Sequence, residues 1–163
     1  MTTIVADVSM GYMAADLQVT TNDGEVSISC DTKIQRLELG GDLYLVGFAG
    51  NEGPAEVFME WIENGEWDNP PEPMSHLDEE DSFTAIVLGP DGLFVADKFM
   101  RLTPVHHRWY AAGSGGTYAW AILEAGCGID KAMQVAIKMD PYSGFGYQVK
   151  YRTEHEEDRS VGT

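Results

Sequence analysis

Few residues of this chain carry reactive chemistry in a telling position, and the first of them is Thr2, directly after the initiator methionine. Removal of Met1 would place a hydroxyl and a free α-amine on the same residue. An α-amine titrates at about 7.7–8.0, so part of it is neutral near neutral pH and can take the hydroxyl proton, directly or through one water. Threonine after the initiator is common, so taken alone it is only a weak sign of catalysis. Lys33 matters if the fold brings it to Thr2. An ammonium there would depress the amine pKa and steady a developing alkoxide. Without such placement, Lys33 reads as a surface lysine on a strand.

Two further clusters have a bland and a sharp reading. Gly113-Ser114-Gly115-Gly116 opens a helix, whose first N–H groups are unpaired and suit an anion. The Lys-Ser/Thr of a phosphate loop is missing, so the cluster reads as a strand-to-helix turn, or as a turn in which Ser114 orients a neighbouring group. Asp140-Pro141-Tyr142-Ser143-Gly144 stops a helix; alternatively Asp140 and Ser143 point back into a site. His106 and His107 are adjacent, so on a strand they face opposite ways. Cys30 and Cys127 match neither a disulfide framework nor a zinc spacing. No metal and no cofactor are expected.

The elements that must position these residues follow from patterning. Residues 2–8 and 12–16 read as a hairpin around Ser9-Met10-Gly11, and 25–30 as a short strand after the Asn22-Asp23-Gly24 turn. Residues 33–39 and 43–49 form a second hairpin; its returning arm is apolar nearly throughout, as in a strand covered on both faces. Val57, Phe58, Trp61 and Ile62 make one stripe of a helix over 54–64. Residues 67–81, with three prolines and the run Asp78-Glu79-Glu80-Asp81, read as a solvated excursion. Strands resume at 82–88 and 93–97, an irregular stretch follows, and 109–112 leads to a helix over 117–125. Asp130 is the expected cap of a last helix ending at Met139. Residues 147–151 close the sheet.

The chain of 163 residues is one domain over 1–152, with an acidic, flexible tail over 153–163. Strands with segregated helices point to an α+β fold, two stacked sheets with helices outside. The net charge of −17 disfavours general nucleic-acid binding and anionic membrane surfaces. There is no basic start with an apolar run, and no apolar stretch of about 18 residues, so a cytoplasmic chain is expected.

Taken together and in order, these features resemble the proteasome β-subunit and HslV peptidase family. The resemblance rests on Thr2-Thr3-Ile4-Val5, Ala14-Ala15-Asp16, Lys33-Ile34-Gln35-Arg36, Gly47-Phe48-Ala49-Gly50, Gly113-Ser114-Gly115-Gly116-Thr117-Tyr118-Ala119 and Asp140-Pro141-Tyr142-Ser143-Gly144. It runs from Thr2 to about Tyr151. It implies a four-layer αββα sandwich of the N-terminal-nucleophile hydrolase type. Asn51 stands after Gly50 where a second glycine is frequent, and Gln18 stands where a basic residue is often found.

By that resemblance Thr2 is the nucleophile of a threonine endopeptidase, Asp16 and Lys33 are the charge pair beneath it, and the Gly50 N–H is an oxyanion donor. Ser114, Asp140 and Ser143 would surround the Thr2 amine. Val19, Asp31, Phe48 and Glu52 would line the substrate site, and acidic Asp31 and Glu52 would favour cleavage after basic residues. The implied assembly is a homo-oligomeric ring of six or seven subunits, stacked in pairs, taking peptide or unfolded protein, with an ATPase unfoldase as a partner. Two other outcomes fit the same residues: an inactive ring or assembly protein of this fold, and an amidohydrolase acting on a small amide.

Overall fold

A computed structural model describes residues 2–20, 25–28, 33–50, 52–72, 83–153 and 157–162. Thr3–Asp7 (β1) and Tyr12–Asp16 (β2) are the first hairpin, and every residue of both is buried. The reason is that both faces are covered, so both sets of alternating side chains find apolar partners. Trp109–Gly113 (β10) pairs with β1, Tyr147–Tyr151 (β11) with β2, and Arg159–Val161 (β12) with β11, giving a sheet ordered β10-β1-β2-β11-β12. The second sheet is Ile34–Leu39 (β5), Asp42–Gly50 (β6), Phe83–Gly89 (β7), Gly92–Asp97 (β8) and Leu102–Val105 (β9), in that order and antiparallel throughout. Gln18–Thr20 (β3) and Val26–Ile28 (β4) form a separate two-stranded ribbon.

Three apolar clusters define the layers. Between the sheets, Ile4, Ala6, Met13 and Ala15 meet Ile34, Leu45, Ile86 and Leu88. On the outer face of the first sheet, Val5, Ala14 and Val149 meet Gly116–Glu124 (α2) and Ile129–Met139 (α3) through Ala119, Leu123, Ala132, Met133 and Ala136. On the outer face of the second, Val46, Phe83, Ala85 and Val87 meet Phe58, Trp61 and Ile62 of Glu52–Glu63 (α1). The result is helices, sheet, sheet, helix: the four-layer αββα sandwich. The sheets approach closely because Gly47 lacks a side chain; a Cβ there would collide with Ile4 Cδ1 and Met13 Sδ.

Several local expectations change. The stretch after Asp97, read as irregular, contains β9, an edge strand in which Pro104 is exposed, as proline in a sheet is confined to edges. The polar end of the chain, read as flexible, supplies β12, tied down by Arg159, whose Nη1 and Nη2 donate to Asp130 at 2.6 and 3.0 Å. Asp130 does not cap α3. Gly128 holds that position in extended backbone, and Asp130 sits in the first turn. Residues 73–81 of the expected excursion, and Ser82 at the start of the expected strand, lie outside the described residues.

Candidate active site

The hairpin β1–β2 carries Thr2 and Asp16 to the same end of the first sheet, since Ile4 pairs with Ala15. On the flanks, Thr3 faces Gly113 of β10 and Asp16 faces Tyr147 of β11. Lys33 immediately precedes β5, so it arrives from the other sheet. The three side chains meet where the two sheets close on one another.

Asp16 is fully buried and is the hub of the group. Its Oδ1 accepts from the Thr2 hydroxyl at 2.7 Å, the Thr3 amide at 2.9 Å and Lys33 Nζ at 2.8 Å. Its Oδ2 accepts from the Gln18 and Gly144 amides, both at 3.1 Å. Lys33 Nζ donates to the Thr2 hydroxyl oxygen, to Asp16 and to the Gln18 carbonyl, the last at 2.6 Å. Three acceptors for three N–H bonds is the coordination of an ammonium; a neutral amine would leave one acceptor unserved. Burial pushes the Lys33 pKa down, and the Asp16 carboxylate opposes that shift. The Thr2 oxygen therefore accepts from a cation while its own proton points to a carboxylate.

A second group lies alongside. Asp140 Oδ2 accepts from the hydroxyls of Ser114 and Ser143, each at 2.6 Å. Since the Ser143 proton is used there, the 2.7 Å contact between Ser143 and Thr3 is a bond donated by the Thr3 hydroxyl. Thr3 thus joins the two groups, its amide on Asp16 and its hydroxyl on the Ser143–Asp140–Ser114 chain. Thr3 and Gln18 were assigned no role from sequence. The available signal for Thr3 was alternation, which sends neighbouring strand side chains to opposite faces.

The remaining expected residues are more dispersed. Gly50 ends β6 with φ of 104°, a conformation that L side chains rarely adopt. Val19 is half-buried in β3, opposite Ser27. Phe48 is turned away from Thr2: it stacks on Phe83 with centroids 6.0 Å apart and meets Phe58 of α1 edge-on at 5.9 Å. Strand alternation explains this, because Leu45 and Ala49 take the inter-sheet face and leave Val46 and Phe48 the outer one. Asp31 and the side chain of Glu52 lie outside the described residues.

Gly113 fixes how close β10 comes to Thr2. Its φ is 86°, and a Cβ would fall on the Thr2 carbonyl oxygen, a backbone atom that cannot swing aside. Gly113→Ala is expected to cost about 1–3 kcal/mol in strain. By displacing Thr2 it should also lower any hydrolytic kcat by roughly 100-fold. Urea unfolding and peptide hydrolysis measured on the same preparation check both.

No protein-family model matches the sequence, and no curated protein matches it. Among solved structures, the chain is similar to eukaryotic HslV from Trypanosoma brucei, with a TM-score of 0.67, 26% identity, and coverage of 91% of this chain and 97% of that one. It is similar to Anbu, the ancestral β-subunit, from Yersinia bercovieri, with a TM-score of 0.72 and 12% identity over 99% of this chain and 87% of that one. It is also similar to BPH from Thiobacillus denitrificans, solved in complex with epoxomicin, with a TM-score of 0.61 and 18% identity over 93% of this chain and 99% of that one. The fold of this chain is that of the proteasome-type N-terminal-nucleophile hydrolases to which these three structures belong.

Proposed function

We propose that this protein is a threonine peptidase, active once Met1 is removed and Thr2 becomes the first residue. The observation that carries the reading is the Thr2 hydroxyl lodged between the Lys33 ammonium and the Asp16 carboxylate. In the first step the α-amine of Thr2 takes the hydroxyl proton and Oγ1 attacks the peptide carbonyl. The negative charge moves to the carbonyl oxygen, for which the Gly50 N–H is the proposed donor. Collapse breaks the C–N bond; the leaving amine takes the proton back from the α-ammonium and an acyl ester remains on Thr2. Water, deprotonated by the same amine, releases the acid and restores the hydroxyl. Lys33 lowers the cost of the alkoxide throughout. The Ser114–Asp140–Ser143 chain would orient the amine.

The setting proposed is a cytoplasmic homo-oligomeric ring of six or seven subunits, paired face to face, with peptide or unfolded protein delivered by an ATPase. Among the described residues no helix is long and apolar enough to cross a membrane. Intact mass tests the first requirement, and incubation with epoxomicin tests the second, since the epoxyketone bonds to a threonine that offers both hydroxyl and free amine. Loss of one methionine and a single adduct per chain are expected. A uniformly retained Met1 with no adduct would instead indicate an inactive protein of this fold.

The pH dependence follows from Lys33. Its pKa lies below the ordinary 10.5 because burial disfavours the ammonium, so kcat/KM should fall on the alkaline side before 10.5 is reached. Stability should run the other way. Between the folded value and 10.5 the unfolded chain binds more protons, so stability rises with pH across that window. The acid limb belongs to the α-amine and should lie below about 7.7, its pKa depressed by the neighbouring ammonium. A pH–rate profile with melting at each pH tests all three directions.

A further inference from the structure

One buried side chain, that of Thr3, bridges the two polar groups at the start of β1. Alternation along β1 turns Ile4 to the second sheet and Val5 to the helices. Thr3, two residues before Val5, therefore faces the helix side, and Thr2 the side from which Lys33 arrives. Thr3 is fully buried, so it is out of a substrate's reach. Its hydroxyl is lodged against Gly115, where a Cβ would fall on Thr3 Oγ1. That contact gives the third residue of the Gly-Ser-Gly-Gly turn its reason to be glycine.

Proton counting gives the bridge a direction. A carboxylate oxygen can only accept, and Asp140 Oδ2 takes the protons of both Ser114 and Ser143. The Thr3 hydroxyl donates to Ser143 at 2.7 Å. All three hydroxyl protons are thus committed within the group, and the next partner of these oxygens must be a donor. The Thr2 α-amine of the mature chain is such a donor. A hydroxyl oxygen has two lone pairs; on Ser143, Thr3 takes one and leaves one. Thr3 also points the positive end of its O–H dipole at that oxygen, so Ser143 holds an α-ammonium less tightly than a free serine would. An amine held less tightly in its protonated form has a lower pKa, and a larger fraction of it is neutral near neutral pH.

We propose that Thr3 is a positioning residue: by donating to Ser143 it fixes that oxygen and weakens its hold on the protonated Thr2 α-amine, which keeps the amine available as a base. This rests on the hydrolase reading, in which the Ser114–Asp140–Ser143 chain orients the amine. The charged side chains bonded into the two groups are Asp16 from β2, Lys33 from the chain before β5 and Asp140 from the end of α3. β10 and the start of α2 add none. Thr3→Val alters none of these charges.

The test uses the mature chain, its first residue checked by mass. kcat and KM on a fluorogenic peptide are measured against pH. Competitive acetylation of the Thr2 α-amine, located by peptide mass, gives its titration without turnover. Thr3→Val removes the hydroxyl at nearly constant volume. It is expected to lower kcat about 5–20-fold with KM within about twofold of the parent. The acid limb and the labelling midpoint should both move up by about half a pH unit. Thr3→Ser returns the hydroxyl and should restore all of these. In a Ser143→Ala background, Thr3→Val should move the midpoint no further, because the oxygen it acts through is gone. Melting curves show which variants are folded, and Thr3→Ala takes the place of Thr3→Val if the latter is not. A folded Thr3→Val or Thr3→Ala variant with the parental midpoint, a Thr3→Ser variant as impaired as Thr3→Val, or an undiminished effect in the Ser143→Ala background would each overturn the proposal. A mature parent that hydrolyses no peptide overturns the hydrolase reading instead, and the labelling midpoints still decide the role of Thr3. Retained Met1 overturns both.

Discussion

Thr2→Ala is expected to abolish peptide hydrolysis, with kcat reduced roughly 10⁴-fold or more, while the fold stays intact. The loss is large because one oxygen serves as attacker in the first step and leaving group in the last, and nothing else at the site can replace it. The fold survives because the substitution removes one donor among the five that serve Asp16 and one acceptor among the three that serve Lys33. A stability change of about 1–2 kcal/mol follows for a single buried hydrogen-bonding group. Alanine is also small enough for Met1 to be removed as before. Thr2→Ser restores the hydroxyl and should recover a substantial part of the rate. Initial rates on a fluorogenic peptide, together with the mass of the epoxomicin adduct, separate this result from misfolding. An alanine variant that hydrolyses at the parental rate would remove Thr2 from the mechanism.

Lys33→Ala is the companion experiment, and it should damage both activity and stability. The ion pair at 2.8 Å has a fully buried acid and a lysine side chain only 12% exposed. Removing the cation leaves the buried Asp16 carboxylate uncompensated, a loss of about 3–5 kcal/mol. For a chain of this size that corresponds to a fall in Tm of roughly 6–20 °C. Activity should vanish as well, because the Thr2 oxygen loses the positive charge that stabilises it as an alkoxide. Lys33→Met, which keeps most of the volume, should melt close to Lys33→Ala if charge dominates and close to the parent if packing does. Asp16→Asn completes the test: a neutral amide beside the ammonium should also be destabilising, whereas charge-independent packing would leave it parent-like.

What could be read from the sequence depended on how local its cause was. The strands of the two central hairpins and the helices α1, α2 and α3 announce themselves through alternation, unbroken apolar runs and stripes such as Val57, Phe58, Trp61 and Ile62. β9 and β12 do not, because Pro104 interrupts the one and the other is three residues long and begins with the polar Arg159 and Ser160. Their partners β8 and β11 make them strands. The meeting of Thr2, Asp16 and Lys33 is a property of two sheets closing on each other. No spacing within either hairpin encodes it, and the expectation rested on the order of motifs. Phe48 shows the limit of that route. Its motif placed it by the site, but the parity of β6, fixed by Leu45 and Ala49 facing the inter-sheet core, turns it to α1.

The candidate nucleophile belongs to the flank of an interior strand. β1 lies between β10 and β2 with both faces covered, so its backbone is held on two sides and its side chains on the other two. The first residues of most chains fray, at almost no free-energy cost. Here β1 can be released only by separating three strands and two apolar layers. For the proposed nucleophile, the entropy of orienting the attacking group would thus be met during folding, before any substrate arrives.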